Sequence, residues 1–203
     1  MIFMPSRGRR KSLERFFADS MPCERGVVLI DDDDIDTYLD MDLPLGWTKL
    51  AAERKGAAGA LRNAYELYPD EPWYGVVADD VVARPDGWDQ RLAEACQPEF
   101  VAWGDDGRWG DKLCTTFFVG AGLVKKLGWL VPPGFGHLYV DRGWGDIAWG
   151  AGVARYLPAI HTAHMNVHDE TYMQRAIQGD AARYERVVSS GELNEWVKRA
   201  RLG

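Results

Sequence analysis

The chain has 203 residues, 46% of them apolar and nine of them tryptophan, enough for one domain with a full core and aromatic pocket walls. A net charge of −7 excludes a surface built throughout for nonspecific nucleic-acid binding. Cys23, Cys96 and Cys114 form neither a zinc spacing nor a disulfide framework, and no window has the apolar length of a signal peptide or membrane span, so the expectation is a soluble protein of a reducing cytoplasm.

In chain order, Ile2 to Met4 predicts a first strand and Pro5-Ser6-Arg7-Gly8-Arg9 a turn. Ser12 is placed to cap a helix over 13–18, where Leu13, Phe16 and Phe17 share a face. Val27 to Ile30 predicts a second buried strand, ending in Asp31-Asp32-Asp33-Asp34. Four consecutive acids repel one another and suit a solvated loop. At a strand's carboxyl end, an acid can equally accept hydrogen bonds from a base N–H or from ribose hydroxyls. Basic residues cluster at Arg7, Arg9, Arg10, Lys11 and Arg15, and again at Lys198, Arg199 and Arg201. The second set falls in the last turn of a C-terminal helix, where cations are favourable anyway.

Trp47 to Ala52 predicts a third strand, and 54–67 a glycine-rich entry into a helix. Small residues there let backbone approach a ligand, and a helix N-terminus favours a diphosphate. Tyr74 to Ala78 then predicts a buried strand that ends in Asp79 and Asp80. Open α/β sheets bind ligands beyond the carboxyl ends of their strands. Paired acids at such a place repel unless a cation lies between them, and hard oxygen ligands suit Mg²⁺ or Mn²⁺. Pro85-Asp86-Gly87 is a turn before a helix over 90–95, and the β-α-β-α-β alternation argues for a mainly parallel sheet.

Phe100 to Trp103 and Thr115 to Val119 predict further strands, separated by a polar, glycine-rich loop over 104–112 with freedom to move. Gly122 to Leu127 predicts a short helix ended by Gly128. From 129 to 152, aromatics, acids and His137 are interleaved with glycine. That composition suits a loop lining a polar pocket, or a structural loop with buried tryptophans. Arg155 to Ile160 predicts a last strand, followed by His161, His164 and His168, a clustering that favours a metal or phosphate site. The segment 180–201 reads as one or two amphipathic helices.

Taken in order, MPSRGR, VVLIDDDD, GAAGALRNA, VVADDVV with PDGW, GHLYVDRGW and HTAHMNVHDETY resemble nucleotide-sugar glycosyltransferases of the GT-A type, close to the family 2-like enzymes of bacteria and phages. The resemblance spans most of 1–172. It implies an α/β fold, a single Rossmann-like GT-A domain with a mostly parallel central sheet flanked by helices. Within 1–203 it implies a nucleotide-binding half over 1–95, an acceptor and catalytic half over 96–172, and C-terminal helices over 173–203.

The implied reaction is metal-dependent, hexosyltransferase-type transfer from a UDP-sugar donor to an acceptor hydroxyl, in the cytoplasm (the host's, if the gene is a phage's). The acceptor would be a saccharide or a hydroxymethylated pyrimidine in DNA. Pro5, Arg7, Asp31 and Asp32 would shape the nucleoside pocket, with Arg62 and Asn63 near the nucleotide. Asp80, helped by Asp79, would hold Mn²⁺ or Mg²⁺, and His164 would complete its shell. Asp141 would be the base, Asp146 the second choice, and Trp144 a stacking wall. The chain departs from the family in carrying Ala78-Asp79-Asp80 where Asp-x-Asp is usual, which leaves open which acid meets the metal. A nucleotidyltransferase of related fold is the alternative, set back by the absence of a glycine- and lysine-rich loop after the first strand. A noncatalytic nucleotide-sugar-binding protein is the other.

Overall fold

Apolar β-branched runs too short for helices build the centre of the molecule. The computed structural model describes residues 1–136, 138–165 and 179–201. The first half comprises β1 (Ile2–Ser6), α1 (Arg10–Ser20), β2 (Gly26–Asp31), β3 (Trp47–Ala52), α2 (Gly56–Leu67), β4 (Trp73–Val76), β5 (Val81–Arg84) and α3 (Trp88–Cys96). The second comprises β6 (Val101–Asp105), β7 (Phe117–Gly120), α4 (Ala121–Leu127), α5 (Val140–Ala151), β8 (Ala154–His164), α6 (Asp180–Ser189) and α7 (Glu192–Ala200). The strands form one eight-stranded sheet in the order β3-β2-β1-β4-β7-β6-β8-β5. Four pairings (β1 with β2, β1 with β4, β2 with β3, β6 with β8) are parallel, and the three that involve β7 or β5 are antiparallel.

These pairings fix which residues meet at one edge. β7 runs against both β4 and β6, so β6 and its parallel partner β8 point the same way as β1, β2 and β4. The carboxyl ends of all five strands therefore share one edge of the sheet. β1 sits between β2 and β4, which makes its carboxyl end a topological switch point, the place where open α/β sheets leave a crevice.

Both faces of the sheet are covered. Leu13 and Phe16 of α1 and Trp88 and Leu92 of α3 bury one face, all four fully inaccessible. Leu61 of α2, Trp144 and Ile147 of α5, Val187 of α6 and Trp196 of α7 bury the other. Each such side chain stabilises the fold by about 1.5–3 kcal/mol relative to exposure.

The sequence expectation is corrected at Ser12, which lies inside α1 and not at its cap, and at β5, which forms where no strand is expected; two further stretches also differ. The first is α5, where a loop is expected from composition. Glycines at 143, 145 and 150 carry poor helix propensity, but close packing overrides it. A Cβ at Gly150 would meet Val197 of α7 at 2.9 Å, and one at Gly145 would touch Cys114 at 3.6 Å. The second is the connection after β6. Buried Asp106 accepts from the backbone N–H groups of Arg108 (2.9 Å), Trp109 (2.6 Å) and Gly110 (3.2 Å), and from the Thr115 hydroxyl (3.2 Å). One carboxylate thus pins a loop whose glycines suggest freedom to move. Among the described residues no helix is long and apolar enough to cross a membrane.

Candidate active site

β8 is eleven residues long, and an irregularity between Gly104 and Asp105 lets it leave β6 and pair with β5. In that second pairing His164 faces Val81, the residue after the Asp79–Asp80 pair. Asp80 Oδ1 and His164 Nδ1, 84 positions apart in sequence, lie 3.1 Å from each other. The Met165 N–H also donates to the Asp80 carbonyl at 2.9 Å, fixing the strand end.

The two aspartates divide their roles. Asp79, 2% exposed, turns back toward β1 and accepts from the Ser6 hydroxyl (2.7 Å) and from Arg9 (3.2 Å). Ser6 also shares a hydrogen bond with Tyr38 (2.8 Å), so Asp79 belongs to a network joining the ends of β1, β2 and β4. Asp80, 7% exposed, turns toward His164 instead. Burial pushes both carboxyls up. For Asp79 it prevails over Ser6 and Arg9 and carries the group from 3.8 to about 6. For Asp80 the hydrogen bond and charge of His164, with Arg9 behind them, outweigh burial and hold the group below its ordinary value.

The Asp79 shift has a consequence for folding. Its folded value is raised, so this stability contribution is complete below about pH 3.8 and is lost as pH rises through about 6. The rise corresponds to about 3 kcal/mol. In urea denaturation without divalent metal, the change in stability from pH 4 to pH 7.5 should therefore be less favourable in the wild type than in Asp79→Asn by up to that amount. Identical pH dependence in the two proteins would contradict this.

At the neighbouring strand end, Arg7 bridges Asp31 (2.9 Å) and Asp33 (2.9 Å through its second nitrogen), while the Gly8 N–H donates to Asp34 at 2.6 Å. The acid run is thus half neutralised by the turn that follows β1. Asp32 stands exposed at the start of a 3-10 turn over Asp32–Thr37. Pro5, half-buried, pairs with Leu29 and sets the position of this turn.

Asp141 stands in the first turn of α5, half-buried, with one carboxylate oxygen accepting the Arg142 N–H at 2.8 Å. Burial raises its carboxyl, while the Arg142 N–H and the charge of His164 oppose that rise. Asp146 is committed elsewhere: Arg142 approaches it at 3.3 Å, and the Tyr184 hydroxyl of α6 donates to it.

Two other expected residues hold the structure instead. Trp144 is fully buried, donates to the Leu130 carbonyl at 2.7 Å and packs against Phe117 and Trp129, so it offers no stacking wall. Arg62 donates to the carbonyls of Pro132 (3.2 Å) and Phe135 (2.5 Å), tying α2 to the 132–135 turn. Asn63 lines a small cleft with Ala52, Glu53, Lys55, Gly59 and Ala60, beside the end of β3. His137, His168 and the 166–172 part of the last motif lie outside the described residues.

The basic cluster changes meaning as well. Arg7 is paired with Asp31, Arg9 with Asp79, Arg10 with Glu14 and Asp40, and Arg15 with Asp19. Arg7 and Arg9 thus serve the acids of the strand ends, whereas Lys11 and Arg15 line a small cleft beside Asp80.

A divalent ion fits the Asp80–His164 pair. Buried His164 Nε2 has no hydrogen-bond partner among the described residues, so the ring is not committed to a second protein group. Among the described residues no three His, Cys, Asp or Glu side chains form a closed metal set. An ion here would take its remaining ligands from phosphate oxygens and water, as Mg²⁺ and Mn²⁺ commonly do with nucleotides. An imidazole in the set favours Mn²⁺ over Mg²⁺.

No protein-family model and no curated protein matches the chain. Solved structures do. The mannosyltransferase PcManGT from Pyrobaculum calidifontis, solved with GDP-Man and Mn²⁺, matches 86% of this chain and 59% of its own at TM-score 0.59 and 12% identity. GalNAc-T7, solved with UDP, GalNAc and Mn²⁺, matches 80% of this chain and 43% of its own at TM-score 0.61 and 10% identity. HddC from Yersinia pseudotuberculosis matches 85% of this chain and 96% of its own at TM-score 0.51 and 12% identity. The chain shares the fold of these structures, a GT-A-like mixed α/β fold, and it spans about half the length of the first two of these proteins.

Proposed function

We propose that this protein is a metal-dependent glycosyltransferase that moves a sugar from a nucleoside diphosphate sugar to an acceptor hydroxyl. The observation that carries this reading is the Asp80–His164 pair, held at the switch-point edge. The Mn²⁺ and nucleotide ligands of PcManGT and GalNAc-T7 support the same chemistry.

In this reading Arg7, Asp31 and exposed Asp32 hold the nucleoside at the end of β2, where base N–H groups and ribose hydroxyls find carboxylate acceptors. Asp80 and His164 hold the ion, with Asp79 bracing the strand end through Ser6 and Arg9. The ion's contribution, when bound, is to neutralise charge gathering on the diphosphate as it leaves. Asp141 takes the proton of the acceptor hydroxyl as the new carbon–oxygen bond forms and the bond to the diphosphate breaks. Asp141 is preferred to Asp146 because the latter's carboxylate is occupied by Arg142 and Tyr184.

The donor nucleoside is uridine or guanosine, and the acceptor a saccharide or a hydroxymethylated pyrimidine in DNA. A net charge of −7 and the pairing of Arg7 and Arg9 with Asp31 and Asp79 weigh against a DNA backbone and favour the saccharide. Incubation with UDP- and GDP-sugars and Mn²⁺ tests the reaction, with nucleoside diphosphate release as the expected signal. Pyrophosphate release from a nucleoside triphosphate and a sugar phosphate would instead establish nucleotidyl transfer.

A further inference from the structure

The loop after β6 carries a feature that donor chemistry does not use. Trp109 is 46% exposed and Trp149 52% exposed, although nine-residue tryptophan content is otherwise spent largely on the core. The Trp149 ring and the Trp109 backbone are both held in place. Asp106 grips the Trp109 backbone N–H, and Trp149 donates through Nε1 to the Asp111 carbonyl at 3.1 Å while packing edge-on against buried Trp103. Tyr156, beside Trp103, brings a hydroxyl to the same place. Asp105, Asp106 and Asp111 lie around it, together with Arg108, whose guanidinium sits 5.3 Å over the Trp109 ring, and His161, 4.0 Å from Asp105. No metal-binding set of His, Cys, Asp or Glu occurs here among the described residues.

We propose that Trp109, Trp149 and Tyr156, with Asp105 and Asp111, form a subsite for a neutral saccharide, the distal part of a glycan acceptor. Rigid aromatic faces and carboxylate acceptors are the complement of a sugar ring. The negative face of an indole attracts polarised C–H groups, while carboxylates accept from hydroxyls. A fixed loop avoids the ordering penalty of a mobile one.

The patch also connects to the candidate base. Segment 111–114 runs along α5, from the Asp111 carbonyl at Trp149 to Cys114, whose thiol donates to the Asp141 carbonyl at 2.9 Å. Asp141 and Trp149 are two turns apart on α5, about 12 Å, which leaves room for intervening sugar units. The assignment of this patch to an acceptor rests on the glycosyltransferase reading, whereas saccharide binding by the patch does not.

The test is titration of the whole chain, by isothermal calorimetry and tryptophan fluorescence, with maltopentaose, cellopentaose and chitopentaose, and with duplex DNA as polyanion control. At least one oligosaccharide should bind the wild type, at least tenfold more weakly Trp109→Ala and Trp149→Phe, and DNA should not compete. Nucleoside diphosphate binding with Mn²⁺, measured in parallel, should be unchanged in both variants. No binding of any of the three sugars, or equal binding to Trp109→Ala, overturns the subsite whatever the nucleotide does. Trp109-dependent sugar binding without nucleotide binding would keep the subsite and sink the transferase reading.

Discussion

Replacing Asp141 by asparagine is expected to lower sugar transfer by at least about a hundredfold, the lower end of what a positioned general base contributes. Asparagine keeps the size of the side chain and its acceptor oxygen for the Arg142 N–H, so α5 should start as before. It cannot take a proton at neutral pH. Donor binding, which this reading assigns to the β1, β2 and β4 ends, should be unchanged. The comparison is of turnover and of donor dissociation constant in the two proteins. Turnover like the wild type's would remove Asp141 as the base and point to a retaining displacement, which needs none. Asp146→Asn is the companion: with its carboxylate held by Arg142 and Tyr184, its effect should appear mainly in stability.

Asp80→Ala should lose more. A divalent ion at a leaving diphosphate supplies several kcal/mol, and removal of its carboxylate ligand should lower turnover by about a thousandfold or more. The change also strands His164, whose Nδ1 now pairs with Asp80. Asp80→Asn therefore serves as the better-folded companion, since it keeps a polar partner for that ring. Both variants should abolish the effect of Mn²⁺ on nucleotide binding, whereas Asp79→Asn should weaken it less, because Asp79 faces Ser6 and Arg9. Equal losses in the Asp79 and Asp80 variants would mean that the division of roles is wrong.

The contrast between these neighbours shows what was legible in the chain and what was not. Strands β1 to β4 follow from local apolar runs, and so does the placement of acids at the ends of β2 and β4. The two aspartates are the central residues of the 78–81 turn, closed by the Val81 N–H on the Ala78 carbonyl at 3.3 Å, and nothing local says which of them meets a histidine. That is decided by β8, which runs past Ile160 to His164 and crosses from β6 to β5. The pairing is non-local, and β5 is four residues long, too short to announce itself.

Helix α5 was hidden for another reason. Its glycines read as loop, and only the facing Val197 and Cys114 explain why small residues are required there. Trp144 looked like a pocket wall because composition records aromatics without their direction, and in the fold it points into the core. The acids that Arg7, Arg9 and Arg10 reach across the fold were equally beyond local reading, since Asp31, Asp79 and Asp40 come from later strands and turns.

The most direct measurement is a thermal-shift titration of the wild-type chain with uridine and guanosine diphosphates, each with and without Mn²⁺. A ligand that binds only the folded form raises the melting temperature by mass action, by an amount equivalent to about 2.7 kcal/mol at a hundredfold excess over its dissociation constant. The account predicts stabilisation by one of the two nucleotides, only when Mn²⁺ is present. No stabilisation by either nucleotide, or stabilisation that ignores the metal, would contradict it.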